Sequence, residues 1–282
     1  MTANFTGHWL VSEYVYNPDG TFVGIVRQQR MLEPQGNGRI RVIQQCEPQA
    51  ELAQHAMGAF KGEWVFDLVV DGRARRYLGP DVLGIGLAWG GEVITGRGVW
   101  TRFGHNFQSF SVMVTPALQI TGGKFYNASE MVANIIGVAV PERADSPAQY
   151  ADFTGMQHPR DVARHWHGSS HRFNADGTPR QQSTVQRTYH GLGWDDEYLE
   201  TGEETKVQLR AREARELVSG TQMGIAKRSG WLLEMEMVHE SGVLIDSVQI
   251  LENFTDCLIG LRRVWEDGAL SSVEVLRLYP EK

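Results

Sequence analysis

The chain has 282 residues and a mass of 31.6 kDa, which suits one large domain or two of ordinary size. Its 41% hydrophobic residues can build real cores, but its 27 basic residues are scattered among 34 acidic ones, for a net charge of −7. That pattern lacks the clustered Lys and Arg that grip a polyphosphate backbone, so nucleic acid is not an expected partner.

The longest apolar stretch, Met131 to Val140, falls short of the roughly 20 residues a membrane helix needs, so no membrane is expected. Residues 1 to 5 lack the basic-then-apolar layout of a signal peptide. Cys46 and Cys257, one in each half, form no disulfide framework and suit a reducing cytoplasm, the expected location.

Taken in chain order, the sequence opens on a block that returns later. Residues 8–21 read HWLVSEYVYNPDGT and residues 165–178 read HWHGSSHRFNADGT. At a constant offset of 157 they agree at seven of fourteen positions, where chance supplies about one. The matches are His8/His165, Trp9/Trp166, Ser12/Ser169, Asn17/Asn174, Asp19/Asp176, Gly20/Gly177 and Thr21/Thr178, and the same offset pairs Gln29-Arg30 with Gln186-Arg187. Trp, Tyr, Val and Phe favour a pleated, half-buried surface, and Asn-x-Asp-Gly supplies a tight turn. Each copy therefore reads as a strand, a hairpin turn and a second strand carrying the Arg.

Further strands are predicted at Arg39 to Gln45, Glu63 to Asp71, Glu92 to Arg102, Gln108 to Thr115 and Leu118 to Tyr126. In the second half they are Gln181 to Tyr189, Lys206 to Glu213, Glu216 to Ser219, Trp231 to His239, Gly242 to Leu251, Asp256 to Trp265 and Ser271 to Leu278. Pro48 to Phe60 reads as a short helix, and Ser129 to Ile136 fits helix or strand. Pro141 to Pro159, with three prolines, reads as a connector. Short strands at regular spacing make the chain all-β, with two tandem antiparallel barrels and few short helices. The expected division is 1–145, a linker 146–160, and 161–282.

Gly7-His8-Trp9 places Gly-x-Trp on a first strand, which resembles the opening of calycins, the lipocalin and fatty-acid-binding superfamily. His165-Trp166-His167-Gly168-Ser169-Ser170, followed by Asn174-Ala175-Asp176-Gly177 and Gln186-Arg187, looks like cyanobacterial lipocalin-like domains of unknown function. Those are similar to the phycobiliprotein lyases of calycin fold, and tandem lipocalin-like halves occur among carotenoid hydratases and natural-product cyclases. The resemblance implies two calycin-like barrels with Trp9 and Trp166 pointing inward. The second copy departs from the pattern, with Arg164 where Gly7 stands in the first.

His165, His167 and His171 share parity on one strand and could together chelate a metal ion. An inward Trp166 would turn them outward, so a histidine-rich face is the favoured reading and no metal is expected. Trp9 and Trp166 are better read as residues sealing a barrel end than as ligand contacts. Arg30 and Arg187 must each find a carboxylate or an aromatic face, supplied by the barrel itself or by a ligand. The other candidate ligand contacts are Arg97, Trp100, Arg102, Tyr126, Tyr189 and Trp231. Gln119, Thr121, Lys124, Glu130 and Asn134 join them in the first half, where parity alone does not fix which half of the set faces inward. The inward candidates of the second half also include Arg172, Trp194, Glu234, Glu236 and His239. An acid/base pair could be drawn from Glu13, Tyr14, Glu130, His239 and Asp246, though no sequence evidence brings two of them together. Gly168-Ser169-Ser170 lacks the Gly-x-Ser-x-Gly of a nucleophile elbow, and Gly84-Ile85-Gly86 is no phosphate loop, so no cofactor is expected.

These features favour a protein that takes a small hydrophobic or amphiphilic ligand inside one barrel. Two alternatives stay open. One is a cofactor-independent cyclase, isomerase or hydratase acting on a polyketide, terpenoid or aromatic product. The other is a structural or dimerising module, with a homodimer as its partner state.

Overall fold

The computed structural model describes residues 5–143, 148–153, 158–191, 193–210, 216–219, 222–252 and 254–281. The chain divides into two compact units, Met1–Asp152 and Phe153–Lys282. Among the described residues each unit is a closed barrel of ten antiparallel strands, every strand paired to its chain neighbours and the last returning to the first. Closure removes the unpaired edges that an open sheet of this length would expose.

Barrel 1 runs β1 (Gly7–Tyr16), β2 (Phe22–Gly36), β3 (Arg39–Pro48), β4 (Gly62–Asp71), β5 (Ala74–Leu78), β6 (Val82–Trp89), β7 (Val93–Trp100), β8 (His105–Thr115), β9 (Leu118–Asn127) and β10 (Glu130–Pro141). The segment between β3 and β4, expected to be helical, forms only two 3-10 turns at Ala50–Leu52 and Ala56–Phe60. They press Leu52, Met57 and Phe60 into the barrel, where Phe60 meets Trp64, Trp100 and Phe103 at one end. At the other, Trp9 packs with Val11, Met113 and Ala139 and donates its indole N–H to Phe5 O at 3.2 Å. The ambiguous segment Ser129 to Ile136 is strand, because β10 must pair with both β9 and β1 to close the cylinder.

Barrel 2 runs β11 (His165–Asn174), β12 (Pro179–His190), β13 (Gly193–Tyr198), β14 (Glu203–Arg210), β15 (Glu216–Ser219), β16 (Gln222–Ser229), β17 (Leu232–His239), β18 (Leu244–Glu252), β19 (Cys257–Glu266) and β20 (Ala269–Pro280). The strand expected over Lys206 to Glu213 starts earlier, at Glu203, and its last residues, 211–213, lie outside the described set, as do 146–147 and 154–157 of the expected linker. One helix, α1 (Pro159–Val162), precedes the barrel.

The duplication holds in atomic detail. Trp9 stands opposite Arg30 and Trp166 opposite Arg187. Both hairpins carry a register shift at matching places, Val15/Tyr16 and Arg172/Phe173. In the two turns Asn17 N and Asn174 N donate to Thr21 O and Thr178 O, and Gly20 and Gly177 take φ of 89° and 81°, which any Cβ would resist. The barrels also close alike, with Trp9 opposite Pro141 and Trp166 opposite Pro280.

Candidate functional site

Alternation fixes what faces the interior of barrel 1. On β1, Trp9, Val11, Glu13 and Val15 point inward, and β2 adds Val26, Gln28 and Arg30. The interior encloses a cavity of about 160 Å³. One side of it is aromatic, made by Phe60, Phe66, Trp100, Phe107 and Phe125. The other is polar: Glu13, Gln28, Arg30, Gln44 and Cys46, with Tyr77, Ser109, Ser111 and Thr121 beyond.

The polar side is organised around one guanidinium. Arg30 Nη2 donates to Gln28 Oε1 at 2.9 Å and to Glu13 Oε1 at 3.2 Å, while Gln28 Nε2 donates to Glu13 Oε2 at 2.5 Å. The two charged side chains are only 12% and 15% exposed. Burial raises the Glu13 pKa above the usual carboxylate range, with Arg30 and Gln28 pulling against it. The Arg30 Nε is buried with no hydrogen-bond partner. Burial, helped by the Glu13 charge, pushes the Cys46 thiol up to about 12, which leaves it a packing residue and not a nucleophile.

Barrel 2 repeats the plan and fills it. Arg187, 1% exposed, donates from Nε to Asp196 Oδ1 at 2.6 Å and from Nη2 to Asp196 Oδ2 at 2.8 Å. Its Nη1 reaches Gln249 Oε1 at 2.9 Å, and the guanidinium lies 4.8 Å over the Trp194 ring. Nearby, Arg172 stacks over Tyr198 at 4.5 Å and bonds Glu274, which also accepts from Ser170 at 2.5 Å. Among the described residues a gap of about 40 Å³ remains beside Arg187, Asp196 and Tyr198.

The cross-strand register explains the difference. Gln28, Arg30 and Leu32 pair with Cys46, Gln44 and Val42. Their counterparts Val185, Arg187 and Tyr189 pair with Tyr198, Asp196 and Trp194. Barrel 2 thus has Tyr189, Trp194 and Tyr198 where barrel 1 has Leu32, Val42 and Cys46. Of the three barrel 1 positions only Cys46 lines the cavity, and Tyr198 puts a ring in its place in barrel 2.

Of the residues singled out from sequence, Glu13, Arg30, Trp100 and Thr121 line the cavity. Arg97 is exposed, since Gly96, Gly98 and Trp100 take the inward side of β7. Arg102 sits past the end of β7, paired with Asp81 and lying over the Trp64 ring. Tyr126 alternates with the lining residue Phe125 and so faces away. Arg187, Tyr189, Trp194 and Arg172 belong to the filled interior of barrel 2, while Trp231 stacks on Phe153 at 4.7 Å. Met235 and Met237 hold the inward side of β17, which turns Glu234 and Glu236 outward.

The acid/base candidates are not brought together. Tyr14 lies on the outer face of β1, where it donates to Asp152 at 2.7 Å beside Arg27. Glu130 is exposed at the start of β10, His239 ends β17 and bonds Ser241 in the turn that follows, and Asp246 is paired with Arg263 and accepts from Trp265. His165, His167 and His171 are exposed and point away from the inward Trp166. Gln28, Gln44, Cys46, Tyr77, Ser109 and Ser111 were missed. Gln28 was within reach, being two residues from Arg30 on the same strand, but Tyr77 lies on a strand the sequence did not signal.

No protein-family model and no curated sequence matches the chain. Solved structures do. A protein of unknown function from the DUF3598 family of Nostoc punctiforme superposes over 98% of this chain and 96% of its own, with a TM-score of 0.64 at 12% identity. The chain shares that protein's fold, here two antiparallel barrels in tandem. At that identity the likeness carries the fold and not the activity. An S-type phycobiliprotein lyase from Guillardia theta covers 50% of the chain and 90% of its own length, with a TM-score of 0.38 at 10% identity.

Proposed function

We propose that this calycin-like protein binds a small amphiphilic molecule inside barrel 1. The observation that carries the reading is the cavity of about 160 Å³, aromatic on one side and polar on the other, in a barrel whose duplicate is filled by its own side chains. Ligand sites are concave and mostly apolar, with a few convergent polar groups that fix orientation. The volume is close to that of a roughly 150 Å³ cavity known to hold benzene, so the occupant is compact, of single-ring size. Its apolar body would lie against Phe66, Trp100 and Phe107, and its polar end on the Glu13–Gln28–Arg30 cluster.

Trp100 provides the readout. A panel of compact amphiphiles titrated against the protein should include at least one that quenches its fluorescence saturably, and Trp100→Phe should remove most of that response. No saturable change with any member of the panel would count against the reading.

Glu13 favours a second reading, in which the same cavity hosts a cofactor-independent isomerase, cyclase or hydratase. A carboxyl whose pKa is raised by burial inside a cavity is suited to general acid/base work. Loss of turnover in Glu13→Gln with ligand binding retained would favour it over simple binding.

A further inference from the structure

We propose that the ligand of barrel 1 is a compact carboxylic acid, its carboxylate held by Arg30 in the place that Asp196 occupies against Arg187. The proposal rests on the reading of barrel 1 as a binding cavity and names the chemistry of the occupant.

The two barrels supply their own comparison. Arg30 and Arg187 occupy the same strand position, each opposite the Trp of its module. In barrel 2 the next strand presents Asp196 directly across from Arg187, and its two oxygens take the Nε–Nη2 edge of the guanidinium in a bidentate pair. A fork of this kind matches carboxylate geometry better than any neutral acceptor does. In barrel 1 the residue directly across is Gln44, and the Nε that would make the first bond has no partner. A buried donor left unsatisfied costs about 1–3 kcal/mol, a cost that an acceptor relieves once Gln44, directly across, turns aside to admit it.

The neighbouring carboxyl does not already fill this role. Glu13 approaches Nη2 alone, at 3.2 Å, from β1 on the opposite side of β2. Two carboxyls about one guanidinium can share a proton, and burial already favours the protonated form of Glu13. The rest of the cavity sets the size: aromatic walls around a volume suited to one ring select a monocyclic acid over a long chain.

Titration calorimetry on the full chain with benzoate, benzamide and benzyl alcohol tests this directly. Benzoate should bind at least tenfold more tightly than either neutral isostere. Gln44→Asp installs the Asp196 counterpart across from Arg30 and should abolish that preference. Arg30→Lys keeps the charge but lacks the Nε–Nη2 edge, and should abolish it too, which covers the case of one variant failing to fold. Benzamide or benzyl alcohol binding as tightly as benzoate would overturn the carboxylate assignment while leaving barrel 1 a binding site. A preference for benzoate that survives in a folded Gln44→Asp protein would overturn it as well. If none of the three probes binds the unaltered chain, the binding reading falls and the proposal with it.

Discussion

At the scale of single residues, a duplicated arginine separates the two halves. Arg187 is buried in an ion pair that the protein completes itself, with Asp196, Gln249 and the Trp194 face around it. Removing one partner of such a pair leaves an uncompensated charge away from water. Asp196→Asn should therefore destabilise the protein by about 3 kcal/mol in denaturant unfolding, and a change within experimental error would contradict the account. The arginines were legible because both lie at the 157-residue offset. Their partners were not, because which residue lies across a ladder depends on hairpin length. Asp196 is nine residues beyond Arg187, but the longer β2–β3 hairpin puts Gln44 fourteen beyond Arg30. The same difference in length explains why the repeat fades after its first turn.

At the scale of elements, alternation of apolar residues made most strands readable, and glycine hid others. On β6 and β7, Gly84 and Gly98 lie back to back across the ladder. A Cβ on Gly98 would come within 2.3 Å of Leu83 O, so the strands need glycine to approach. That composition reads as loop in a sequence and hid β6, whereas β5, which carries Tyr77, holds no glycine and went unread because it is five residues long with two arginines. The expected helix at Pro48 to Phe60 became two 3-10 turns because its apolar residues plug the barrel instead of lining one helical face.

Helix α1, at the mouth of barrel 2, carries a pH-sensitive cap. His158 accepts from Arg160 N through Nδ1 at 3.2 Å and lies edge-on to Tyr189. Burial, together with the nearby Arg228 and Arg160 charges, pushes its ring down to about 4 from 6.5. The folded protein then binds fewer protons than the unfolded chain between those values, so the stability this group provides is present above pH 6.5 and lost as pH falls toward 4. His158→Asn keeps an acceptor at the cap but does not titrate. Its Tm should fall less than that of the unaltered protein across that interval, and parallel curves would contradict the assignment.

At the scale of the molecule, one module was copied and the copies diverged inside. The shared parts are scaffold: the Trp strand, the Asp-Gly turn, the bulge and the closing strand that brings Pro141 or Pro280 opposite Trp. The unshared parts decide whether a barrel is hollow. Sequence comparison reached the Trp strand and the Asp-Gly turn, since both lie in one local block, but not the bulge or the closing strand. It could not reach the unshared parts, since a filled interior depends on pairings between strands that only closure defines. Among the described residues no helix is long and apolar enough to cross a membrane.

The central claim is that barrel 1 is the binding barrel and barrel 2 is not. Crystals of the full chain soaked in 4-bromobenzoate test it most directly, because the bromine locates the ligand by its anomalous signal. The account predicts bromine inside barrel 1 among Phe66, Trp100 and Phe107, with the carboxylate on Arg30 Nε and barrel 2 empty of ligand. Bromine in barrel 2, or only at the protein surface, would contradict it.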